Sequence, residues 1–222
     1  MFAAMRKRLE NLRKGGDRGM TLTELLIAMG IFAVVLVVFM QAVAVMAKTT
    51  VRSQAQSDSA DQLRNVFLRL DKEVRYAQDI NTPATANGAV YVEYWIPDDT
   101  ASGASTCVQW RYVISSSILQ RRTWTQGNAA SVSSWNTMAT NLRNDLSSSA
   151  QQPFRVTRAG TTGSKVYLHQ RLDVYLNSGL GAGTDARGSQ LSTTFVAQNS
   201  STASITNPGT QNVCLIGSVQ RP

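Results

Sequence analysis

A single carboxylate at the edge of a long uncharged run is the group in this sequence whose chemistry is easiest to infer. Glu24 directly precedes Leu25 to Ala47, 23 residues that carry no charge and are nearly all apolar. At about 1.5 Å per residue, a helix of this length spans a hydrocarbon layer of roughly 30 Å. Taking a lone carboxylate out of water there costs on the order of 2.5 to 3.5 kcal/mol, so the group favours a cationic partner. The pattern predicts ion pairing at the edge of a membrane.

A simpler function for the same carboxylate is helix capping. Thr21 and Glu24 are three residues apart and precede an apolar run, which is the spacing of a capping box. A glutamate in the first turn also interacts favourably with the helix dipole. Capping and ion pairing therefore remain two readings of Glu24.

The other reactive side chains form no catalytic pattern. His169 is the only histidine, and its apolar-alternating surroundings predict a structural role inside a strand. Neither cysteine belongs to a C-x-x-C pair, and the glycine-rich stretch 179–183 has no adjacent Lys-Ser/Thr of a phosphate-binding loop. Asp98 and Asp99 suit a calcium loop but are more typical of a turn. We expect no enzyme activity, no cofactor and no metal.

The residues around Glu24 resemble the class III signal of type IV pilins and type II secretion pseudopilins. A basic leader ends at Gly19 and is followed by the sequence MTLTELLI (residues 20–27) and then by the apolar run. Met20 departs from the phenylalanine that the family more often has. The resemblance implies that a prepilin peptidase cleaves between Gly19 and Met20 and that Met20 is N-methylated as the first residue of the mature protein.

The resemblance also implies a role and partners for Glu24. As the fifth mature residue, its carboxylate would pair with the N-terminal ammonium of a neighbouring subunit and set the register between subunits. The implied partners are the prepilin peptidase/methyltransferase, other minor and major pilins, the inner-membrane assembly platform and membrane lipid. A conventional secretory signal is the main alternative, because Ala42 to Ala44 offers an A-x-A cleavage site. The apolar run is longer than such signals usually have.

Charge predicts the orientation in the membrane. The chain has a net charge of +8, and its first 19 residues contribute +4 of this. By the positive-inside rule, these residues keep the leader in the cytoplasm and place the domain after the helix outside. The cytoplasmic membrane, then a pilus, the cell surface or a periplasmic pseudopilus, is the expected location. The remaining charge is a weak argument for nucleic acid.

Beyond the apolar run the helix is expected to continue to Ile80, because a stripe of apolar residues repeats with helical period and Asn81 to Pro83 then stop it. Residues 48–62 lack the stripe and are expected to be solvated or to face another subunit. The stripe comprises Leu63, Val66, Phe67, Leu70, Val74 and Ala77.

The second half of the chain has the composition of short strands separated by polar loops. Ser115 to Ser117 predict a hairpin turn, and residues 134–146 predict a short helix or a covering loop. The predicted strands are residues 89–96, 106–114, 118–124, 153–158, 165–176 and 190–197, and the predicted long loops are 177–188 and 199–210.

These elements predict an α+β fold, a long N-terminal helix packed on an antiparallel sheet, which is also the pilin fold that the resemblance implies. The predicted organisation is a leader at 1–19, a transmembrane helix at 20–47, an amphipathic continuation at 48–82 and an extracytoplasmic β-rich domain at 83–222. Residues 68–77, the hairpin to Arg122 and the strand ending at Phe195 are loosely similar to minor pilin W and pseudopilin J.

The two cysteines offer one possible disulfide. An extracytoplasmic domain permits a bond between Cys107 and Cys214, which would hold residues 213–216 beside the strand that starts near Cys107 as an edge or a cap. Two buried free thiols are the alternative.

We expect a minor pilin or pseudopilin, a structural subunit of a type IV pilus or of a type II secretion-like filament. The alternative is a membrane-anchored or secreted extracytoplasmic binding domain. DNA binding in a competence pilus is one form of it, through a basic aromatic patch on two strands. The residues of this patch are Trp110, Arg111, Arg121, Arg122 and Trp124.

Overall fold

One long helix, α1 (Leu22–Arg75), begins the part of the chain that the computed structural model describes, which is residues 21–98, 104–180, 187–216 and 221. The chain divides into two compact units, residues 1–50 and residues 51–222. The first unit contains the apolar start of α1, and the second contains the rest of α1 and all strands.

Helix α1 ends at Arg75, so the prediction that it continues to Ile80 is wrong. The backbone of the following residues pairs with a strand instead: the Gln78 amide donates to the Trp95 carbonyl at 2.9 Å, and the Asn81 amide donates to the Glu93 carbonyl at 2.8 Å. Ala77 is buried just after the helix, which explains why it fits the apolar stripe.

The first sheet has six antiparallel strands. Five of them follow the order β1-β3-β4-β5-β6, and β2 pairs with residues 89–91 at the start of β3. Three-residue 3-10 helices, η1 (Ala129–Ser131) and η2 (Ser149–Gln151), lie in the connections before and after β6. The strands are β1 (Asp79–Ile80), β2 (Ala84–Ala86), β3 (Ala89–Ile96), β4 (Thr106–Val113), β5 (Ile118–Thr125) and β6 (Asn136–Ala139).

The second sheet has three antiparallel strands in the order β11-β10-β7, and a separate two-stranded hairpin precedes β10. An isolated bridge between Leu142 and Ser178 connects the segment after β6 to β10. The strands of the second sheet are β7 (Phe154–Thr157), β10 (Arg171–Leu180) and β11 (Arg187–Val196), and those of the hairpin are β8 (Gly160–Thr162) and β9 (Lys165–Tyr167).

The sequence predicted β3, β4 and β5 to within one residue, together with the hairpin turn between β4 and β5. Three other expectations are wrong. Residues 136–139 form strand β6 rather than part of a short helix or a covering loop. The stretch 165–176 is split between β9 and β10, and the expected loop 177–188 contains the end of β10 and the start of β11. At Gly188 a Cβ atom would overlap the Ser178 carbonyl, so these two strands approach closely only because the residue is glycine.

The apolar stripe of α1 forms the main core against one face of the first sheet, as the sequence predicted. Leu63, Val66, Leu70 and Val74 are buried there. Phe67 is the exception, since it is 37% exposed and its ring lies 5.5 Å from the ring of Phe195 in β11. The observed architecture is therefore α+β and pilin-like, with one long helix packed on antiparallel sheets.

Candidate functional site

Glu24 lies in the first turn of α1 and forms a reciprocal capping box with Thr21. The Thr21 amide donates to Glu24 Oε2 at 3.0 Å, and the Glu24 amide donates to Thr21 Oγ1 at 3.3 Å. Both side chains are exposed. The geometry satisfies two amides that begin the helix and leaves Glu24 Oε1 available for a cation.

The residues after Glu24 form the one helix of the described chain that is long and apolar enough to cross a membrane. All side chains from 21 to 50 are exposed, so none of the large apolar groups there is covered by the protein itself. Covering such a surface is favourable by about 25 cal/mol per Å² of apolar area. This part of α1 thus requires an apolar environment that the described chain does not supply.

Gly19 and Met20, the predicted cleavage and methylation positions, lie outside the described residues. The assignment of these two positions, like that of Glu24 as the group that sets subunit register, therefore remains a prediction.

In the second unit, a buried ion-pair network ties α1 to the first sheet through Glu73. Arg121 in β5 donates to both carboxylate oxygens, at 2.6 and 3.1 Å, and Arg69 on α1 adds a contact of 2.7 Å. The Tyr94 hydroxyl donates to Glu73 Oε2 at 2.7 Å and accepts a bond of 2.8 Å from Trp110 Nε1. The network fixes the rotation of the helix on the sheet, because Arg121 in β5 and Tyr94 in β3 hold the Glu73 carboxylate of α1 from two strands.

Tyr94 is fully buried in this network. Burial, followed by the negative charge of Glu73, raises the pKa of its phenol well above the usual value. The neutral hydroxyl is therefore the form that the folded domain requires as a donor to Glu73.

A second carboxylate, Glu93, lies fully buried on the opposite face of the first sheet. Gln109 Nε2 and Asn81 Nδ2 donate to its two oxygens at 2.8 and 3.1 Å. Arg221 completes the site with bonds of 3.0 and 2.6 Å to the same carboxylate. Side-chain hydrogen bonding to Glu93 raises the pKa of the Arg221 guanidinium further above its already high value. The ion pair compensates the cost of burying Glu93.

Cys107 and Cys214 are joined by a disulfide with Cα atoms 5.6 Å apart. The bond places Val213 and Cys214 in a small buried cluster with Trp124, and Asn81 exchanges two hydrogen bonds with the Val213 backbone, at 2.8 and 3.0 Å. Because β4 is flanked by β3 and β5, residues 213–216 cap the sheet face and do not extend its edge. Of the two placements the sequence allowed, the structure has the cap.

The basic aromatic patch, through which the alternative function of DNA binding would act, is not an exposed surface. Trp110 and Trp124 are buried, and Arg121 is held by Glu73. Arg111 and Arg122 instead stack near the Trp135 ring, 3.8 and 4.2 Å from its centroid. The geometry offers no stacking platform for bases on the two predicted strands.

His169 lies in the connection between β9 and β10 and not inside a strand, so that placement was wrong. Its Nδ1 is 2.6 Å from the Ser200 carbonyl oxygen. Asp98 Oδ2 accepts from the Ala104 amide at 3.2 Å, while Asp99 lies outside the described residues. Among the described residues there is no group of three or more His, Cys, Asp or Glu side chains arranged to hold a metal ion.

Sequence reasoning missed Glu73, Glu93, Arg221 and Trp135. A signal existed for Glu93 alone, because it is the one charge in the otherwise apolar stretch 89–96 and so predicts a buried partner. Its partner Arg221 is 128 residues away and carries no local signal.

Comparisons with known proteins bear on the first unit. Residues 14–40 match the family described as the prokaryotic N-terminal methylation motif. No curated protein and no solved structure matches the chain. The similarity to minor pilin W and pseudopilin J therefore stays a prediction.

The matched residues include Glu24 with its capping box and the start of the apolar helix. The motif implies processing by a prepilin peptidase and assembly with other pilins, and it indicates a structural subunit rather than an enzyme. Together with the apolar helix, it supports membrane anchoring followed by pilus assembly. The chain thus carries a prokaryotic N-terminal methylation motif at residues 14–40, the class III signal of type IV pilin-like proteins.

Proposed function

We propose that the protein is a minor pilin or pseudopilin, a structural subunit that enters a type IV pilus or a type II secretion-like filament through its N-terminal helix. The observation that carries this proposal is the coincidence of the methylation motif at 14–40 with a helix whose side chains from 21 to 50 are all exposed. A lipid layer or the helices of neighbouring subunits would cover this surface.

Glu24 is the residue that sets the register between subunits. Its capping box uses Oε2, so Oε1 is available to accept a charge-assisted bond from the ammonium of Met20 in a neighbouring subunit after cleavage at Gly19. In a low-dielectric environment an uncompensated carboxylate is costly, which favours packing arrangements that supply the ammonium.

The membrane topology follows from charge. The six cationic side chains among residues 1–19 keep the leader in the cytoplasm, and the domain from residue 83 onward lies outside. The disulfide between Cys107 and Cys214 agrees with this orientation, because such bonds persist in oxidising compartments.

We favour a minor rather than a major component of the filament. A domain with long polar loops, such as residues 199–210, is bulky for a subunit that is repeated by the thousand. Counting subunits in purified filaments tests this part separately. An abundance equal to that of the main filament protein would assign the chain as a major pilin.

Mass spectrometry of the protein isolated from its own host tests the proposal. We expect the mature chain to begin at N-methylated Met20, in both the membrane and the sheared filament fraction. An intact leader would contradict the proposal. A chain cut after Ala44 would instead assign a secreted domain, because the apolar run would then be a conventional signal.

A further inference from the structure

The hairpin of β8 and β9 presents two large apolar side chains to solvent. Val166 is 69% exposed and Leu168 is 75% exposed. Side chains alternate along a strand, so these two lie on one face of the hairpin and Tyr167 lies on the other. The Arg171 guanidinium stacks 4.4 Å from the centroid of the Tyr167 ring, and this contact attaches the Tyr167 face to β10. The face that carries Val166 and Leu168 is the one left to solvent.

The loop after β11 presents a third apolar side chain. Ile205 is 51% exposed, although its neighbours Ser204 and Thr206 are buried. Asp79 in β1 accepts hydrogen bonds from the Thr206 amide at 2.8 Å and from the Thr206 hydroxyl at 3.0 Å. Ser204 Oγ donates to the Gln78 carbonyl at 2.8 Å. These bonds hold the loop on both sides of Ile205, so its side chain is presented to solvent in a defined position.

The loop and the hairpin are joined to each other. Asn207 in the loop exchanges two hydrogen bonds with the backbone of Ala159, the residue before β8, at 2.9 and 3.1 Å. Gln170, which follows β9, donates from Nε2 to the Thr206 hydroxyl at 3.0 Å. The two elements are therefore held together, with their exposed apolar side chains on the same part of the domain. We call these side chains the apolar patch, which comprises Val166, Leu168 and Ile205.

The charges on the two elements that carry the apolar patch are all positive. Residues 158–171, which contain the hairpin, include Arg158, Lys165 and Arg171 and no carboxylate. Residues 197–212, which contain the loop, include no charged residue. The Lys165 side chain is exposed beside the patch. These charges attract an anionic partner.

Two carboxylates lie on elements next to the patch, and each has an arginine nearby. Asp173 in β10 lies directly opposite Arg155 in the pairing with β7. Burial lowers the pKa of Arg158 and the charge of Asp79 acts against this, so Asp79 and Arg158 are electrostatic neighbours. The two other cations of the hairpin segment therefore leave the surroundings of the patch with a net positive charge.

The composition of the patch fits a lipid surface better than a protein partner. Binding hot spots between proteins are enriched in Trp, Tyr and Arg, and Leu and Val are under-represented there. All side chains from 161 to 166 are exposed, so the hairpin offers a convex surface rather than a pocket. Apolar side chains flanked by cations are the pattern that enters the headgroup region of a bilayer containing anionic lipid.

We propose that the apolar patch inserts into the surface of a bilayer that contains anionic lipid, with Lys165 and Arg171 beside the lipid phosphates. This contact is separate from the membrane span proposed for α1, because all of its residues belong to the second unit. The inference goes beyond the filament role and does not depend on it, since a domain that is merely anchored to a membrane carries the same patch.

Vesicle flotation of the full chain tests the contact. The chain is held by its apolar helix in nanodiscs of neutral phosphatidylcholine and is mixed with vesicles that contain phosphatidylglycerol as the anionic lipid. We expect the nanodiscs to float with these vesicles, to float much less with vesicles of phosphatidylcholine alone, and to be released by salt, which screens the attraction. Every variant keeps residues 1–19, so any binding through the basic leader is the same in all of them.

Variants assign the binding to the patch. Val166→Ser combined with Leu168→Ser should lower the floated fraction about tenfold, because each CH₂ group buried in lipid contributes to the affinity. Leu215→Ser is the matched control and should float like the wild type, since Leu215 is 60% exposed but lies outside the patch. Lys165→Glu should also lower flotation, whereas Lys165→Arg should retain it.

Fluorescence quenching locates the inserted side chains. Leu168→Trp places an indole in the patch, and Leu215→Trp places one outside it, while the four native tryptophans are common to both variants. Brominated lipid is present in the added vesicles only. We expect these vesicles to quench the additional emission of the Leu168→Trp variant and to leave that of the Leu215→Trp variant unchanged.

Equal flotation of the wild type and of the double variant would overturn the contact, as would equal flotation with neutral and anionic vesicles or equal quenching of the two tryptophan variants. A photocrosslink from p-benzoylphenylalanine at Leu168 to another protein in the host, without flotation, would assign the patch to a protein partner and also overturn it. Flotation of a chain that is absent from sheared filaments supports the contact and contradicts the filament role. A chain that is present in filaments and does not float overturns the contact and leaves the filament role intact.

Discussion

The two parts of helix α1 differ in what covers their apolar side chains. In residues 63–74 the apolar groups form one stripe, and the protein's own sheet covers it. In residues 25–47 the apolar groups surround the helix, and nothing in the described chain covers them. A striped helix is completed by its own domain, whereas a helix that is apolar all round needs a lipid or protein environment from outside.

The carboxylates of the two parts differ in the same way. Glu73 is buried and has Arg69, Arg121 and Tyr94 as partners within the chain. Glu24 is exposed, and within the described part of the chain its hydrogen bonds are those of the cap with Thr21. Changes at Glu24 should therefore affect assembly and leave domain stability alone, whereas changes around Glu73 and Glu93 should affect stability.

The largest effect is expected for Glu24→Gln. Glutamine retains the capping-box geometry but removes the charge, so helix formation stays normal while the ion pair with a neighbouring ammonium is lost. We expect the variant to be processed and inserted, and its recovery in sheared filaments to fall at least tenfold. Quantitative immunoblots of membrane and filament fractions measure this.

Thr21→Ala is the matched control, because it removes the hydroxyl that caps the Glu24 amide and keeps the carboxylate. A lost cap costs about 1 kcal/mol of local helix stability. Incorporation of Thr21→Ala should therefore stay near that of the wild type. If Glu24→Gln enters filaments normally, Glu24 is a cap and does not set subunit register.

The second effect is on stability and concerns the disulfide. Its cysteines are 107 residues apart, and a loop of this size gives a stabilisation of about 4 to 5 kcal/mol in the chain-entropy model. We expect Cys107→Ser combined with Cys214→Ser to lower the free energy of unfolding by about 4 kcal/mol in detergent-solubilised full chain. Denaturant titration followed by tryptophan fluorescence reports the change, because Trp124 lies in the same cluster.

Leu215→Ser is the control within the same segment. Leu215 is exposed beside Cys214, so its replacement should change the free energy of unfolding by less than about 0.5 kcal/mol. A loss below about 1 kcal/mol in the cysteine variant would show that packing and the Asn81 hydrogen bonds hold Val213 without the disulfide.

The features that the sequence predicted are those whose pattern lies within a short stretch of chain, and the features that it missed depend on contacts between distant residues. The stripe from Leu63 to Val74, strands β3 to β5 and the capping box of Thr21 and Glu24 were predicted because each is a pattern within about a dozen residues. Strand β6 was missed because its four residues, NTMA, have neither alternation nor β-branched enrichment. The bond from Arg121 to Glu73 joins residues 48 apart, and such a pairing leaves no trace in local periodicity.

The smallest effect is the alkaline response of the network around Glu73. The folded domain raises the pKa of Tyr94, whereas an unfolded tyrosine has a pKa of about 10. Above pH 10 the unfolded chain therefore binds fewer protons than the folded chain. Stability is fully present below pH 10 and falls as the pH rises further, by up to about 1.4 kcal/mol per pH unit from this one group.

Tyr94→Phe removes that titration and should flatten the fall in unfolding free energy between pH 10 and 11. At pH 8 the free energy of unfolding of the variant should itself be lower by about 1 to 3 kcal/mol, because Trp110 Nε1 is then buried without its acceptor.

Tyr112 is the matched control. Burial also raises its pKa, but the cause does not include Glu73, so Tyr112→Phe should retain the part of the slope that comes from Tyr94. Equal slopes in the wild type and in Tyr94→Phe would mean that the phenol loses its proton as easily in the folded as in the unfolded chain. The Glu73 network would then not require a neutral Tyr94.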